Sequence, residues 1–277
     1  MSTFEACGVH LYYEEHGNGF PLIWSHEFGG NYDSWDPQVS FFSRRYRVIT
    51  YAARGYPPSD VPEDPAAYSQ DQAIEDLRLL MIHLNIPQAH IGGLSMGGNV
   101  ALNFGLRHPE MARSLIVAAC GSGSDNPEQF RSDGARMTEV LMTQGMEPMA
   151  RDYGHGPTRT QLLRKDPKGF QVFYDGLASH SALGSALTYR GIQMTRPPVY
   201  DLVEGMRQLQ VPTLVMIGDE DDPCVNPAVF MKRNIPRCGL VVFPRSGHAI
   251  NLEEPDLFNR TALDFLSEVE EGGWQPR

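Results

Sequence analysis

Short, nearly unbroken apolar runs recur along the chain at Pro21–Trp24, Arg47–Tyr51, Ala89–Ile91, Leu115–Ala119, Thr213–Ile217 and Leu240–Phe243. Runs of this length that do not alternate with polar residues predict parallel strands covered on both faces. Between them the period changes. Ser69-Gln70-Asp71-Gln72 is a capping box, and Ile74, Leu77, Leu80 and Leu84 follow at helical spacing until Pro87. Near the N-terminus, Gly8–Glu15 is rich in aromatic and β-branched residues, and the turn signal Gly17-Asn18-Gly19 leads straight into Pro21–Trp24, which predicts an opening β-hairpin. The repeated strand–turn–helix rhythm predicts an α/β protein with a doubly wound, mostly parallel sheet, whose ligand chemistry gathers beyond the carboxyl ends of the strands.

The rhythm breaks between Ala119 and Thr213. This stretch opens with Gly121-Ser122-Gly123-Ser124 and closes around Arg196-Pro197-Pro198. It predicts a helical insertion, residues 122–205, in a core formed by residues 1–121 and 206–277. Short helices are expected at Arg136–Met142, Thr160–Lys165 and Phe170–Leu177. Met137, Met142, Met146 and Met149 give the insertion adaptable apolar surface that packs it on the core or lines a pocket. Phe130, Tyr153, Phe173, Tyr174, Tyr189, Arg131 and Arg159 are further pocket candidates, and Glu270–Arg277 reads as a frayed tail.

Composition narrows the partners. The 277 residues carry a formal charge of −11, and no basic run exceeds Arg44-Arg45. That argues against nucleic acid or an anionic membrane surface and for a small-molecule partner. Cys7, Cys120, Cys224 and Cys238 show neither zinc-ligand nor disulfide-framework spacing, so reduced thiols are expected, with no metal and no cofactor. Met1–His10 lacks a secretory pattern and no apolar run is long enough to span a bilayer, which makes a cytoplasmic location the expectation and leaves oligomeric state open.

The chemistry enters at Gly93-Leu94-Ser95-Met96-Gly97, between an apolar run and a helix-like stretch. A serine with glycines at both second neighbours can occupy a strained strand-to-helix turn that pushes its hydroxyl into the open. A serine hydroxyl needs a base, and that base needs an orienting carboxylate. His248, in Pro244-Arg245-Ser246-Gly247-His248 after the last strand, is the base candidate. Asp219-Glu220-Asp221-Asp222 follows the preceding strand; spacing alone leaves Asp219, Asp221 and Asp222 open, with the unused acids solvated. Glu253 and Glu254 are expected to serve the start of the final helix.

These features together resemble the α/β-hydrolase superfamily, in its serine-nucleophile branch with an inserted helical cap, esterase- and haloperoxidase-like. The resemblance implies that Asp221, three residues after Gly218, is the acid of a Ser95–His248–Asp221 triad. It also implies an oxyanion hole made by the backbone amides of Met96 and Phe28. This chain departs from the family's usual His-Gly at His26-Glu27. Glu27 is expected to face solvent or the pocket mouth, and His26 to fix the loop. Ala52–Ser59 matches a family segment that is mainly architectural, with Ala52 and Pro57 as departures. The expectation is a cofactor-independent serine hydrolase acting on a carboxylic ester or related acyl compound. A lactonase or a hydrolase of β-diketone-type C–C bonds would share the machinery, and a non-catalytic receptor on this fold is the rival.

Overall fold

The computed structural model describes residues 2–276. One eight-stranded sheet runs through the molecule in the order β1-β2-β4-β3-β5-β6-β7-β8. Its strands are β1 (Ser2–Ala6), β2 (Val9–His16), β3 (Phe20–Ser25), β4 (Tyr46–Tyr51), β5 (Ala89–Leu94), β6 (Ala112–Ala118), β7 (Thr213–Gly218) and β8 (Cys238–Phe243). All neighbours from β4 to β8 pair in parallel. Helices α1 (Asp36–Phe42), α2 (Gln70–His83), α3 (Met96–Arg107), α10 (Asp222–Asn234), α11 (Ile250–Glu253) and α12 (Pro255–Glu270) accompany the strands. The central strands are apolar throughout because both faces are covered: β5 and β7 are buried at every position. Ser69 caps α2 by accepting the Gln72 N–H at 3.0 Å.

Between β6 and β7 lie α4 (Pro127–Gln144), α5 (Met146–Gly154), α6 (Thr160–Lys165), α7 (Pro167–Ala178), α8 (Ala182–Thr188) and α9 (Val203–Gln208). A five-residue π-helical turn, Tyr189–Gln193, continues α8. An apolar cluster containing Leu141, Met149, Leu162, Phe170 and Leu177 from this insert takes in Phe28, Tyr56, Met96 and Ala249 from the core, so the helices seat on the carboxyl edge of the sheet. Met146 and Met149 pack there, whereas Met142 is exposed.

The order places the reversal of winding at β3, with β4 on one side and β5 on the other. A parallel sheet opens a crevice at such a point, beyond its strand ends. The segments after β3, β5, β6, β7 and β8 all emerge on that edge.

Two expectations need correction. The N-terminal hairpin exists, but β1 and β2 form it through the turn at Cys7-Gly8, while β2 pairs with β4 and not with β3. Gly17–Gly19 is therefore a crossing to a distant strand. Its turn composition misled because it sits beside an apolar run, and β1, with exposed Ser2, Thr3 and Glu5, has little strand signal of its own. The expected frayed tail is docked at Trp274, which packs edge-on against Phe265 at 4.7 Å and donates its indole N–H to the Arg237 carbonyl at 2.8 Å, while Arg277 lies outside the described residues. Among the described residues no helix is long and apolar enough to cross a membrane.

Candidate active site

Ser95 sits between β5 and α3 at φ 57°, ψ −108°, a conformation that costs energy for any residue with a side chain. The flanking glycines make it attainable. A Cβ on Gly93 would lie 2.2 Å from the Gly97 backbone, and one on Gly97 would lie 2.0 Å from the Ser25 carbonyl oxygen. Strand, helix and the end of β3 thus meet at distances that admit no side chain.

His248 and Asp221 arrive from β8 and β7. The ring Nδ1 of His248 stands 2.7 Å from Asp221 Oδ2, with both side chains almost wholly buried. Since the carboxylate can only accept, Nδ1 carries the proton and Nε2 is the nitrogen free to act as base. Ser95, His248 and Asp221 line one cavity of about 130 Å³, whose walls include Phe28, Phe130 and Tyr189. The serine hydroxyl makes no hydrogen bond to the ring in this conformation; such contacts commonly tighten only around substrate.

The other acids after β7, Asp219, Glu220 and Asp222, are exposed as expected, though two of them also accept hydrogen bonds. Asp219 Oδ1 accepts the Ser246 N–H at 3.1 Å, and Glu220 accepts from Gln161 Nε2 at 2.6 Å. Glu253, expected at the helix start, instead accepts the Gly247 N–H at 2.8 Å from a buried position. The Thr158 carbonyl of the insert takes the His248 N–H at 2.9 Å. The histidine loop is thus tied from the nearby Glu253 and from Thr158 of the insert, far away in sequence.

Several polar groups of the loop after β3 are tied. His26 Nδ1 reaches the Glu27 carbonyl at 2.7 Å, and its Nε2 accepts the Ala53 N–H at 3.0 Å. That pair of contacts requires a neutral ring, and burial lowers the His26 pKa to about 4. Tyr56 donates its hydroxyl to the Phe28 carbonyl at 3.0 Å. Among the described residues the Phe28 N–H has no acceptor, and neither does that of Met96, in the first turn of α3. Both residues border Ser95. Ala52–Ser59 supports this loop and the neighbouring strands: Arg54 pairs bidentately with buried Asp76 at 2.7 Å, and Ser59 bridges Ala52 and Tyr12.

Glu27 does not face solvent. It is 2% exposed and is held by both terminal nitrogens of Arg159, which is 1% exposed and comes from the insert; one of these bonds, from Nη1 to Oε1, measures 2.9 Å. Phe173 at 4.8 Å and Tyr153 at 5.2 Å sandwich the guanidinium. Burial alone would raise the Glu27 pKa, but the charge and hydrogen bonds of Arg159 outweigh it and the net shift is downward. The sequence contains both residues, yet 132 positions separate them, and no local pattern signals the pairing.

Asp221, Cys224 and His248 place ligand-type atoms within 4.8 Å of one another. The thiol, however, is pushed well above its ordinary pKa by burial and then by Asp221, and its Sγ points to the Ala119 carbonyl at 3.5 Å. A protonated thiol and an Nδ1–H already facing Asp221 are poor ligands for an ion.

The comparisons with known proteins agree with this architecture. A family profile described as "Alpha/beta hydrolase family" matches residues 16–261. The chain is 28% identical over 260 residues to 3-oxoadipate enol-lactonase 2 of Acinetobacter baylyi, covering 93% of each protein. A thermophilic esterase from Thermogutta terrifontis superposes with a TM-score of 0.84 at 27% identity, over 96% of this chain and 97% of that one. A structure described among carboxylesterases of Nitrososphaera gargenis gives a TM-score of 0.86 at 26% identity, over 98% and 100%.

Two outcomes test this description. Arg159→Met strands the Glu27 carboxylate and should destabilise the fold by about 3–5 kcal/mol. Arg159→Met/Glu27→Leu should recover most of that in urea titrations; equal losses in single and double variants would contradict the pairing. His26 and His180 are both lowered by burial from 6.5 to about 4. The unfolded chain therefore takes up these protons first. Their contribution to stability is fully present above about pH 6.5 and fades as pH falls toward 4. The thermal midpoint should drop across that window, and His180→Phe should flatten the slope.

Proposed function

The chain belongs to the alpha/beta hydrolase family, and from that premise we propose that it is a serine hydrolase that cleaves a carboxylic ester or a lactone through an acyl-enzyme. The observation that carries this reading is the shared cavity of Ser95 and His248, with the ring's other nitrogen 2.7 Å from Asp221. In the proposed reaction Ser95 Oγ attacks the acyl carbon while His248 Nε2 takes its proton. Asp221 holds the ring in orientation and stabilises the imidazolium. The carbonyl electrons collect on oxygen, which accepts hydrogen bonds from the Phe28 and Met96 amide N–H groups and is stabilised by the positive end of the α3 dipole. His248 then gives the proton to the departing alkoxide. Water, deprotonated by the same nitrogen, attacks the acyl-serine, and the proton returns to Ser95 as the acid leaves.

The helical insert, residues 122–205, acts in this reading as a cap over the site. A cavity of about 130 Å³ suits a compact acyl group. A lactone is an intramolecular ester and uses the same steps without losing a separate alcohol; the enol-lactonase relative favours this second reading. A negative side chain at Glu27, where the family usually has glycine, would favour the receptor alternative if it stood unpaired near the developing oxyanion. Pairing of Glu27 with Arg159 withdraws that support.

Ser95→Ala should lower turnover of 4-nitrophenyl acetate by up to about 10⁶-fold, and Asp221→Asn by about 10⁴-fold, with folding unchanged by circular dichroism. Hydrolysis persisting in purified Ser95→Ala protein would end the proposal. Rates on a panel of esters, lactones and β-diketones then assign the substrate class.

A further inference from the structure

Two arginines are buried at the interface between insert and core, and only one has a counter-ion. Arg159 faces Glu27. Arg196 is 8% exposed and forms no salt bridge among the described residues. Its hydrogen bonds go to neutral acceptors: Gln193 Oε1, the Ser122 carbonyl at 3.0 Å and the Ser122 hydroxyl at 3.2 Å. The Phe130 ring lies 5.8 Å from its guanidinium carbon. Burial lowers both guanidinium pKa values. At Arg159 the Glu27 charge more than restores it, whereas Arg196 stays below its ordinary value.

A desolvated cation without a partner is expensive, and tying Ser122 to Arg196 across the neck of the insert would need only a neutral donor. The position of the charge supplies a use for it. Gln193, Ser122 and Phe130, side chains set against the Arg196 guanidinium, all line the Ser95 cavity, and they also line an adjoining crevice of about 20 Å³ whose wall, unlike that of the cavity, includes Arg196 and Arg131. Neither lining contains a carboxylate other than Asp221, which is committed to His248. The π-helical turn adds to this. Its wider winding, closed by the Met194 N–H on the Tyr189 carbonyl, accompanies the placement of Tyr189 and Gln193 on the cavity wall, and such turns are frequent at functional sites.

We infer that Arg196, with Gln193 and Ser122, forms a carboxylate-binding subsite of the Ser95 cavity, so that the substrate is an ester or lactone bearing a carboxylate. The inference rests on the hydrolase reading. The anion enters against a formal chain charge of −11, and Arg196 supplies the local positive potential that admits it. A carboxylate that takes the place of the Gln193 oxygen gains a charge-assisted contact, and a neutral analogue leaves the arginine unpaired.

The test compares matched substrates. 4-Nitrophenyl hydrogen glutarate and 4-nitrophenyl valerate differ in the terminal carboxylate of the acyl chain; 4-acetoxybenzoate and phenyl acetate differ in a carboxylate on the leaving group. The wild-type kcat/KM should favour the charged member of one pair by roughly 10- to 100-fold. Arg196→Met should bring that ratio close to one, and Arg196→Lys should keep part of it. The pair that responds tells which side of the scissile bond the carboxylate occupies. No preference in the wild type for either charged ester, or a preference that survives Arg196→Met, overturns the inference. Because Arg196→Met could disturb the neck, a second measurement needs neither turnover nor that variant: calorimetric titration of Ser95→Ala protein with glutarate and with glutaramide. Glutarate binding that weakens between 0.1 and 1 M NaCl, with no binding of glutaramide, supports the subsite; no glutarate binding overturns it. If all four esters resist the wild type, the hydrolase reading falls, and the titration still decides the subsite.

Discussion

A carboxylate held out of water needs a fixed cation, and Glu27 has one in Arg159. Much of the site's architecture follows from that constraint. Glu27 belongs to the loop after β3 that presents the Phe28 amide, while Arg159 belongs to the insert. The pair therefore fixes the helical layer to the loop that, in the proposed reaction, presents an amide to the oxyanion. Thr158, the preceding residue, accepts the backbone N–H of His248, so two adjacent insert residues hold both the loop after β3 and the loop carrying His248. Losing this contact would loosen both loops together.

Around that pair the core contributes rigidity of a different kind. Gly97 is packed so closely against Ser25 and His26 at the end of β3, and Gly93 against Gly97, that neither position admits a side chain, which holds the Ser95 turn against the loop carrying Phe28 by backbone contact. Tyr56 lies edge-on between His26 at 4.6 Å and His180 at 5.1 Å, and grips the Phe28 carbonyl. Neutral rings at His26 and His180 keep this stack free of charge. The cost of that neutrality is paid in sensitivity to acid, since the unfolded chain accepts protons that the folded rings refuse.

Much of this was legible in the residues. Central strands declared themselves through unbroken apolar runs, because burial on both faces leaves no polar position to alternate. The Ser95 turn was legible through its glycines, and His248 through its place after the last strand. Asp221 was not separable from Asp219 and Asp222 by spacing; only the fold shows that Asp221 lies against His248 while Asp219 serves the Ser246 amide. Glu27, Arg159, Glu253 and Thr158 were out of reach, because their partners lie far off in sequence or are backbone groups with no signature. The same holds for β1: its pairing with β2 comes from register and from the turn at Cys7-Gly8, and its exposed polar positions carry no strong strand pattern.

The central claim is spatial: the Ser95 hydroxyl, the His248 ring and the free amides of Phe28 and Met96 surround one reacting carbon. A crystal structure of the protein inactivated by a fluorophosphonate tests it most directly. The account requires phosphorus bonded to Ser95 Oγ, its free oxygen within about 3 Å of both amides, and Glu27 still seated on Arg159. A label on another residue, or a phosphonyl oxygen turned away from Phe28 and Met96, would contradict it.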